Sequence, residues 1–436
     1  MTTQKKAVLS TYFPDLVDVV KTPTGLQFLK KDASGLSIVP KHTAPDGVYI
    51  PPEIRAVPFD KTISEGQAVI DRFNQKEPPV KLYRDLIRYF KELIELPSPA
   101  YYALFAVWVF HTYIVEQFQH TPFLFFYAVP GRGKTRAGEC LIYTAFRGVC
   151  ATSPTAANLF RFADPDHATL FIDATDLSDS AKKGGYEDLL LNRYEKGGRV
   201  ARVTAADRPT YRDRSFFDVY GPTVLASNTP IDDALESRCI PVTMPLTAKI
   251  FTKSPDTTTT APLRERLLAF RAQWMNSKLP QIKKPHPGRL GDSFLPLLQT
   301  AQIVNPRVTR LLRGLIPQIE EAQQIERGDS LEAQVIEAII NLEHQVVAGY
   351  LASEHVRATV NKDRPERLQY SSRRIGSTVR ALGYKRGTVS NGRSGILWDE
   401  QFNQKLAGRY GVSINPSEPE ASETSTPPDA ENDIFS

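Results

Sequence analysis

Residues 1–75 carry short β-type apolar runs, GLQFL, GLSIV and GVYIPP, punctuated by Gly, Pro and Asp. This pattern predicts a small β-rich domain, and it holds no catalytic signature. The period then becomes helical. In KLYRDLIRYFKELIEL (81–96), Leu82, Leu86, Tyr89, Phe90 and Leu93 recur at helical spacing, and a second helix over about 100–118 follows Pro99. Residues 76–120 therefore read as a helical linker or collar. From 121 to 250, apolar strands alternate with helical segments, as in an α/β core built on a parallel sheet. Residues 251–330, with a TTTT run, several prolines and a helix from Pro262 to Asn276, read as a helical lid. Residues 331–412 form a further module. The final segment, 413–436, is acidic: its last 21 residues hold six acids and no Lys or Arg, a composition that predicts disorder.

Composition narrows the class. The 436 residues are 41% hydrophobic and 24% charged, enough to bury a core in two to four domains. Net charge is +5, too mild to diagnose a nucleic-acid partner, so the distribution of charge has to decide. Cys140, Cys150 and Cys239 are too few and too scattered for a disulfide framework or zinc ribbon, and fit a reducing compartment. The N-terminus lacks the apolar core of a signal peptide. The longest apolar stretch, Tyr101 to Val115, contains His111 and falls short of the ~20 residues of a membrane span. The expected location is the cytoplasm, without a membrane partner.

The sharpest chemical signal is FLFFYAVPGRGKTRAGECLIYTAF, residues 123–146. An apolar strand, a glycine turn and an amphipathic helix make the context a phosphate loop requires. Gly131 and Gly133 let backbone N–H groups converge on phosphate oxygens, and the helix N-terminus adds a favourable dipole. Lys134 would reach the β- and γ-phosphates, and the Thr135 hydroxyl would ligate Mg²⁺. Pro130, Gly131, Arg132, Gly133, Lys134, Thr135 and Arg136 are the candidate ATP-binding residues. The first Gly of GxxxxGK[ST] is replaced by Ala128, at the least demanding of the three glycine positions.

Further along, HATLFIDATD (167–176) reads as a buried strand that places Asp173 at the sheet's C-terminal edge. There Asp173 is the natural Mg²⁺ partner of Thr135, or else a strand-terminal turn residue. Many ATPases of this type follow that Asp with a water-orienting Glu; here the position is Ala174. Asp176 is the nearest acid, either a replacement base or an Asx-turn residue. The strand TVLAS then ends in Asn228, whose amide could polarise the water or the γ-phosphate. Arg238 precedes the strand CIPVTM, where it could serve a neighbouring subunit as an arginine finger. Taken singly, Asn228 reads as a turn residue and Arg238 as a surface charge.

The ordered set PGRGKT, LFIDATD, GGRVARV, VLASNTP and ESRCIPVTMP resembles the AAA+ ATPase core of phage and mobile-element helicases. It looks most like the superfamily 3 and primase-associated helicase-like ATPases, over roughly residues 80–300. The resemblance implies a hexameric ATPase that translocates on DNA. It also implies that Arg289, in HPGRLGDSFLPLL, is a sensor Arg contacting nucleotide from the lid; by position alone it is a helix-start Arg. Primase motifs are absent, so primer synthesis is not implied.

Two basic regions supply candidate DNA contacts. Between Arg193 and Arg214 seven Lys/Arg face three acids, and RVARVT alternates like a strand of a β-hairpin. The resemblance places a channel loop here, with Arg199 and Arg202 as phosphate contacts; the alternative is an edge hairpin protected by charge. Residues 361–411 carry 11 Lys/Arg against 4 acids. Ser371 or Ser372 can cap a helix with an Ile375–Val379–Leu382 stripe, and Asn391-Gly392 signals a turn. Helix, helix, basic helix and basic hairpin make a winged-helix pattern, with Arg373, Arg374 and Arg380 on the helix and Lys385, Arg386 and Arg393 on the wing. A lid-packing helical domain with a charged face is the alternative. The tail, ending in Ile434-Phe435, resembles those with which single-stranded-DNA-binding proteins dock on replication partners.

The expectation is thus an α/β protein: an AAA+ P-loop core, a small β-rich N-terminal domain and a C-terminal winged-helix domain. It would act as an ATP- and Mg²⁺-dependent DNA motor. The rivals are an ATP switch that loads or initiates without unwinding, and an oligomeric DNA-binding regulator.

Overall fold

The computed structural model describes residues 7–152, 154–203, 214–328, 330–365, 368–389 and 394–412, with the side chains of 324–328 excepted. The chain divides into two compact units, Met1–Ile319 and Glu320–Ser436.

The first unit begins with strands β1 (Ala7–Leu9), β2 (Leu16–Thr22), β3 (Gly25–Asp32), β4 (Gly35–Val39), β5 (His42–Ala44) and β6 (Gly47–Ile50). They form two three-stranded sheets, ordered β2-β3-β4 and β1-β6-β5. The expected β content is present, but it does not separate as a domain of residues 1–75. Leu16 to Val20 are all buried, so β2 needs apolar cover on both faces. Val17 and Val20 enter one hydrophobic cluster of the unit, and Leu16 and Val19 enter another. A buried ion pair reinforces the join: Arg147 Nε donates to Asp18 Oδ1 at 2.8 Å, and its other nitrogens donate to Thr11 O and Asp166 O. Arg271 Nε likewise donates to Val17 O at 2.7 Å.

Helices α1 (Gly66–Gln75), α2 (Pro79–Leu93) and α3 (Pro99–Thr112) follow. Proline at the first turn fixes the entry to α2 and α3, where its missing N–H costs nothing. On α2, Leu82, Leu86, Phe90 and Leu93 are buried, every third or fourth residue. On α3 every residue from Ala103 to Thr112 is buried, which makes it a core helix. Among the described residues no helix is long and apolar enough to cross a membrane.

The central layer comprises β7 (Phe123–Tyr127), α4 (Lys134–Ile142), β8 (Gly148–Thr152), α5 (Ala156–Ala163), β9 (Thr169–Asp173), α6 (Leu177–Gly184) and α7 (Glu187–Asn192). It continues with the hairpin β10 (Arg199–Val203) and β11 (Arg214–Asp218), then β12 (Thr223–Ser227), α8 (Asp233–Glu236) and β13 (Cys239–Thr243). Five strands make one wholly parallel sheet in the order β13-β7-β12-β9-β8. Thr223–Ser227 is buried throughout, as expected of a central parallel strand covered on both faces. Helices α9 (Ala261–Trp274) and α10 (Gly288–Val304) complete the layers, and α11 runs from Val308 to Gly328.

The second unit holds α12 (Leu331–Asn341), β14 (Tyr350–Ala352), α13 (Ser353–Asn361), α14 (Ser372–Ala381), β15 (Arg386–Thr388), β16 (Ser394–Leu397) and α15 (Glu400–Tyr410). Its antiparallel sheet runs β14-β16-β15. Ile336, Leu351, Val356, Ile375, Val379, Ile396 and Leu406 share its core. Strand β14 and helix α15 were not anticipated from the pattern. The acidic tail and Ile434-Phe435 lie outside the described residues.

Candidate active site

Because all five central strands run parallel, their C-terminal ends open on one edge of the sheet. Strand β7, buried from Phe123 to Phe126, ends there and passes into the loop before α4. Gly131 and Gly133 both adopt φ = +82°, with open space where a Cβ would stand, so backbone conformation rather than crowding requires glycine. Lys134 is buried and turns back on the loop, its Nζ donating to Ala128 O at 2.5 Å and Val129 O at 3.1 Å. Residue 128 serves this contact through its carbonyl alone, so alanine can stand where the motif has glycine. Burial lowers the Lys134 pKa, partly offset by the Asp173 charge.

Asp173 closes β9, and Thr135 Oγ1 donates to its Oδ2 at 2.5 Å. Strand β12 lies between β7 and β9, so Asn228, next after its end, stands between the loop and Asp173. Its backbone N–H donates to Thr175 O at 3.1 Å. Residues 130–136, Asp173, Ala174, Thr175 and Asn228 line one open cleft of about 410 Å³. The Thr135 hydroxyl and Asp173 carboxylate are hard oxygen donors at one point, a set suited to a Mg²⁺ that takes its other ligands from phosphate and water. Among the described residues no cluster of three or more His, Cys, Asp or Glu competes as a metal site. Glu139, one turn beyond Thr135 on α4, escaped the sequence reading; burial raises its pKa, with Asp173 adding to the shift against Arg136.

Asp176 caps α6: its Oδ1 accepts the Asp179 N–H at 2.9 Å. It is not among the residues lining the cleft.

Arg238 and Arg289 stand at the other end of the sheet. Register pairs Cys239 with Phe123 and Thr243 with Tyr127, so Arg238 lies beside the start of β7. Five residues of strand, roughly 16 Å at 3.3 Å each, separate it from the loop. Arg238 Nε donates to Leu191 O at 3.0 Å and its Nη1 to Ala234 O. Arg289 Nη1 donates to Ser237 Oγ at 2.6 Å. The two guanidinium groups share a pocket of about 450 Å³ with His120, Lys196 and Asp292. The structure thus places Arg289 away from its own chain's phosphate loop; the entry to α10 holds it at the far edge.

In the β10–β11 hairpin the two arginines part company. Arg202 forms a two-pronged ion pair with Asp188, at 2.6 and 2.8 Å, and its guanidinium lies 4.4 Å from the Phe160 ring centre. Arg199 is exposed on the opposite face. Arg193, counted in the basic run, is fully buried and spends its nitrogens on Thr223 Oγ1, Val219 O, Ala168 O and Pro222 O. Residues 204–213 lie outside the described ones.

In the second unit Ser371 caps α14, accepting the Arg374 N–H at 3.2 Å. Arg373, Arg374 and Arg380 are exposed, while Ile375 and Val379 are buried. Lys385 and Arg386 are also exposed; Arg393 lies outside the described residues.

The sheet, loop and Thr135–Asp173 pair have the build of a P-loop nucleotide-binding core. No protein-family model and no curated protein matches the chain. Among solved structures it is similar to the active helicase Cch of SCCmec type IV, at 13% identity over 92% of this chain and 80% of that one, with a TM-score of 0.36. It is similar to the NrS-1 C-terminal region at 11% identity, over 87% and 96% of the two chains, with a TM-score of 0.37. It is also similar to the Aeropyrum pernix ORC1 protein solved in complex with DNA, at 12% identity over 69% and 90%, with a TM-score of 0.20.

Proposed function

We propose that the protein is an ATP-hydrolysing DNA motor of AAA+ type, a helicase or helicase-like ATPase working as a ring, most simply a hexamer. The observation that carries the reading is the division of the nucleotide chemistry between the two ends of the sheet. Lys134, Thr135, Asp173 and Asn228 gather at one end, and Arg238 and Arg289 at the other, beyond reach of their own chain's loop. Such halves combine when copies associate head to tail, as ring closure requires.

In this reading Lys134 leaves the Ala128 and Val129 carbonyls for the β- and γ-phosphates, and the loop N–H groups hold the phosphate oxygens. Thr135 and Asp173 would hold Mg²⁺, which when bound would neutralise phosphate charge. Asn228 orients the attacking water, and Arg238 of one copy stabilises charge on the nucleotide of the next. The helix–strand–helix–helix–strand–strand order of the second unit is read as a winged helix, with α14 set against duplex DNA. The β10–β11 hairpin contacts a strand through Arg199. The setting inferred from the resemblance is cytoplasmic replication of a phage or mobile element, with the acidic tail as a contact for replication proteins.

A second reading, an ATP switch that loads onto DNA without unwinding, is favoured by one observation: Asp176 spends a carboxylate oxygen on the α6 cap, and residue 174 is Ala. ATP turnover and strand displacement, measured with and without single-stranded DNA, separate the two. DNA-stimulated turnover that disappears in Lys134→Ala and accompanies unwinding supports the motor. Tight ATP binding with negligible turnover overturns it in favour of the switch.

A further inference from the structure

A second cationic cleft, of about 510 Å³, opens between α2 and the segment that follows β13. Arg84, Arg88 and Lys91 line it from α2, each about one turn from the next and each exposed. Lys249 and Lys253 line it from the facing segment, and Glu92 is the one carboxylate among the lining residues. Glu92 pairs with Lys253 at 2.9 Å, and Arg88 turns to Asp85 at 2.9 Å. Among the described residues Arg84, Lys91 and Lys249 have no carboxylate within ion-pair distance; Lys249 Nζ donates to Lys91 O at 3.1 Å and Lys91 Nζ lies 5.8 Å from the Tyr102 ring centre.

The cleft is apolar as well. Ile87, Ile250 and Phe251 belong to its lining, Ile250 is 86% exposed, and Leu246 of the same segment is 79% exposed. Ile87, Ile250 and Phe251 together give the cationic cleft an apolar stripe. An extended polyanion bearing flat apolar groups satisfies both features: cations track its backbone and the apolar side chains meet its bases. Duplex DNA would offer phosphates with its base faces stacked away, and an acidic peptide would match the charge without the rings.

The segment is also fastened to the phosphate loop. Arg136, which follows Thr135, donates from Nη2 to Lys253 O and lies 5.7 Å from the Phe251 ring centre, while Lys249 Nζ lies 4.8 Å from it. We infer that this cleft is a contact for single-stranded nucleic acid, separate from the hairpin and α14, and that Arg136 links its occupancy to the phosphate loop. The binding half stands independently of the ATPase reading; the linkage half rests on it.

The test is fluorescence anisotropy of a labelled oligothymidylate with the full chain, over a salt series. Arg84→Ala/Lys249→Ala should bind at least fivefold more weakly, with a slope of log Kd against log salt smaller by about 1.4, two contacts at ~0.7 each for a single strand. Ile250→Ser, at an exposed position where folding is not at stake, should weaken binding and leave the salt slope alone. Unchanged affinity in both variants overturns the proposal. So does polyglutamate competing as well as unlabelled oligothymidylate of equal charge, which would make the occupant an acidic peptide. A non-hydrolysable ATP analogue should shift the oligothymidylate affinity of the unmodified protein, and Phe251→Ala should abolish the shift while nucleotide still binds. No shift in a protein that binds nucleotide overturns the linkage. A protein that binds oligothymidylate through this cleft but no nucleotide overturns the ATPase reading and leaves the binding half standing.

Discussion

The two ends of the central sheet are built from the same strands and do opposite electrostatic work. At the C-terminal ends, the glycine turn, the buried Lys134 and the Asp173 carboxylate line one open cleft. At the N-terminal ends, two guanidinium groups are held by Leu191, Ala234 and Ser237 with no phosphate site of their own chain nearby. In the proposed reading, one end would receive the phosphates and the other would supply the groups that neutralise their charge. On that reading, one chain holds half of each of two sites.

The widest separation between the ends should come from Lys134→Ala and Arg238→Ala. The lysine variant should lose nucleotide binding itself. The arginine variant should still bind nucleotide yet lose turnover by about a thousandfold or more, the usual worth of an arginine supplied to phosphoryl transfer. Mixing the two inactive proteins in equal amounts sharpens the contrast. On the order of a quarter of the interfaces would then join an intact loop to an intact arginine, so turnover should reappear. Mixtures that stay silent would mean that the far end does not act across copies.

Acid should attack the arginine end. His111 hydrogen-bonds Thr121 just before β7, and His167 lies just before β9, both at the N-terminal ends of the strands. Burial holds both imidazoles down to about 3, for His167 with help from Arg147 and other arginines. With folded values below the unfolded ~6.5, the unfolded chain binds protons that the folded one refuses. Stability is therefore full above about pH 6.5 and falls as pH drops, by up to ~1.4 kcal/mol per pH unit for each histidine. Thermal midpoints measured from pH 7 to 4.5 should follow that slope, and His111→Gln should flatten it.

A smaller effect tests the loop end. If Asp176 serves only as a cap, Asp176→Asn should keep both stability and turnover, because asparagine caps as well as aspartate. Asp176→Ala should cost about 1 kcal/mol in unfolding free energy. Turnover lost in Asp176→Asn with stability intact would instead make the carboxylate part of the chemistry. The smallest effect belongs to the hairpin. Arg202→Ala should lose under about 1 kcal/mol of stability, since its pair with Asp188 is partly exposed, and leave DNA affinity nearly unchanged. Arg373→Ala/Arg374→Ala should do the reverse in a duplex-binding titration.

The same contrast explains what could be read from residues alone. The phosphate loop is local: strand, glycines, lysine and helix start follow one another within about a dozen positions, so spacing states the geometry. Asp173 and Asn228 were legible because a parallel strand delivers its last residue to a known edge. Arg289 was not, because its place depends on how α10 enters beside Ser237, a contact 52 positions away in sequence. Arg202 and Arg199 look equivalent in RVARVT, and only Asp188 and Phe160, from other elements, distinguish them. The N-terminal strands read as a separate domain because β-type runs punctuated by glycine say nothing of what covers their second face.

That second face bears on where the protein can be cut or transplanted. A chain trimmed to start at residue 76 would retain the loop, Asp173, Asn228 and both arginines. It would also leave the Arg147 guanidinium without Asp18 or the Thr11 carbonyl, and unpairing a buried ion in this way costs roughly 3–5 kcal/mol. The smallest unit that keeps these contacts therefore begins ahead of Thr11, well before the phosphate loop. A boundary drawn by motif alone would remove Asp18 and Thr11 and destabilise the fragment for reasons unrelated to nucleotide.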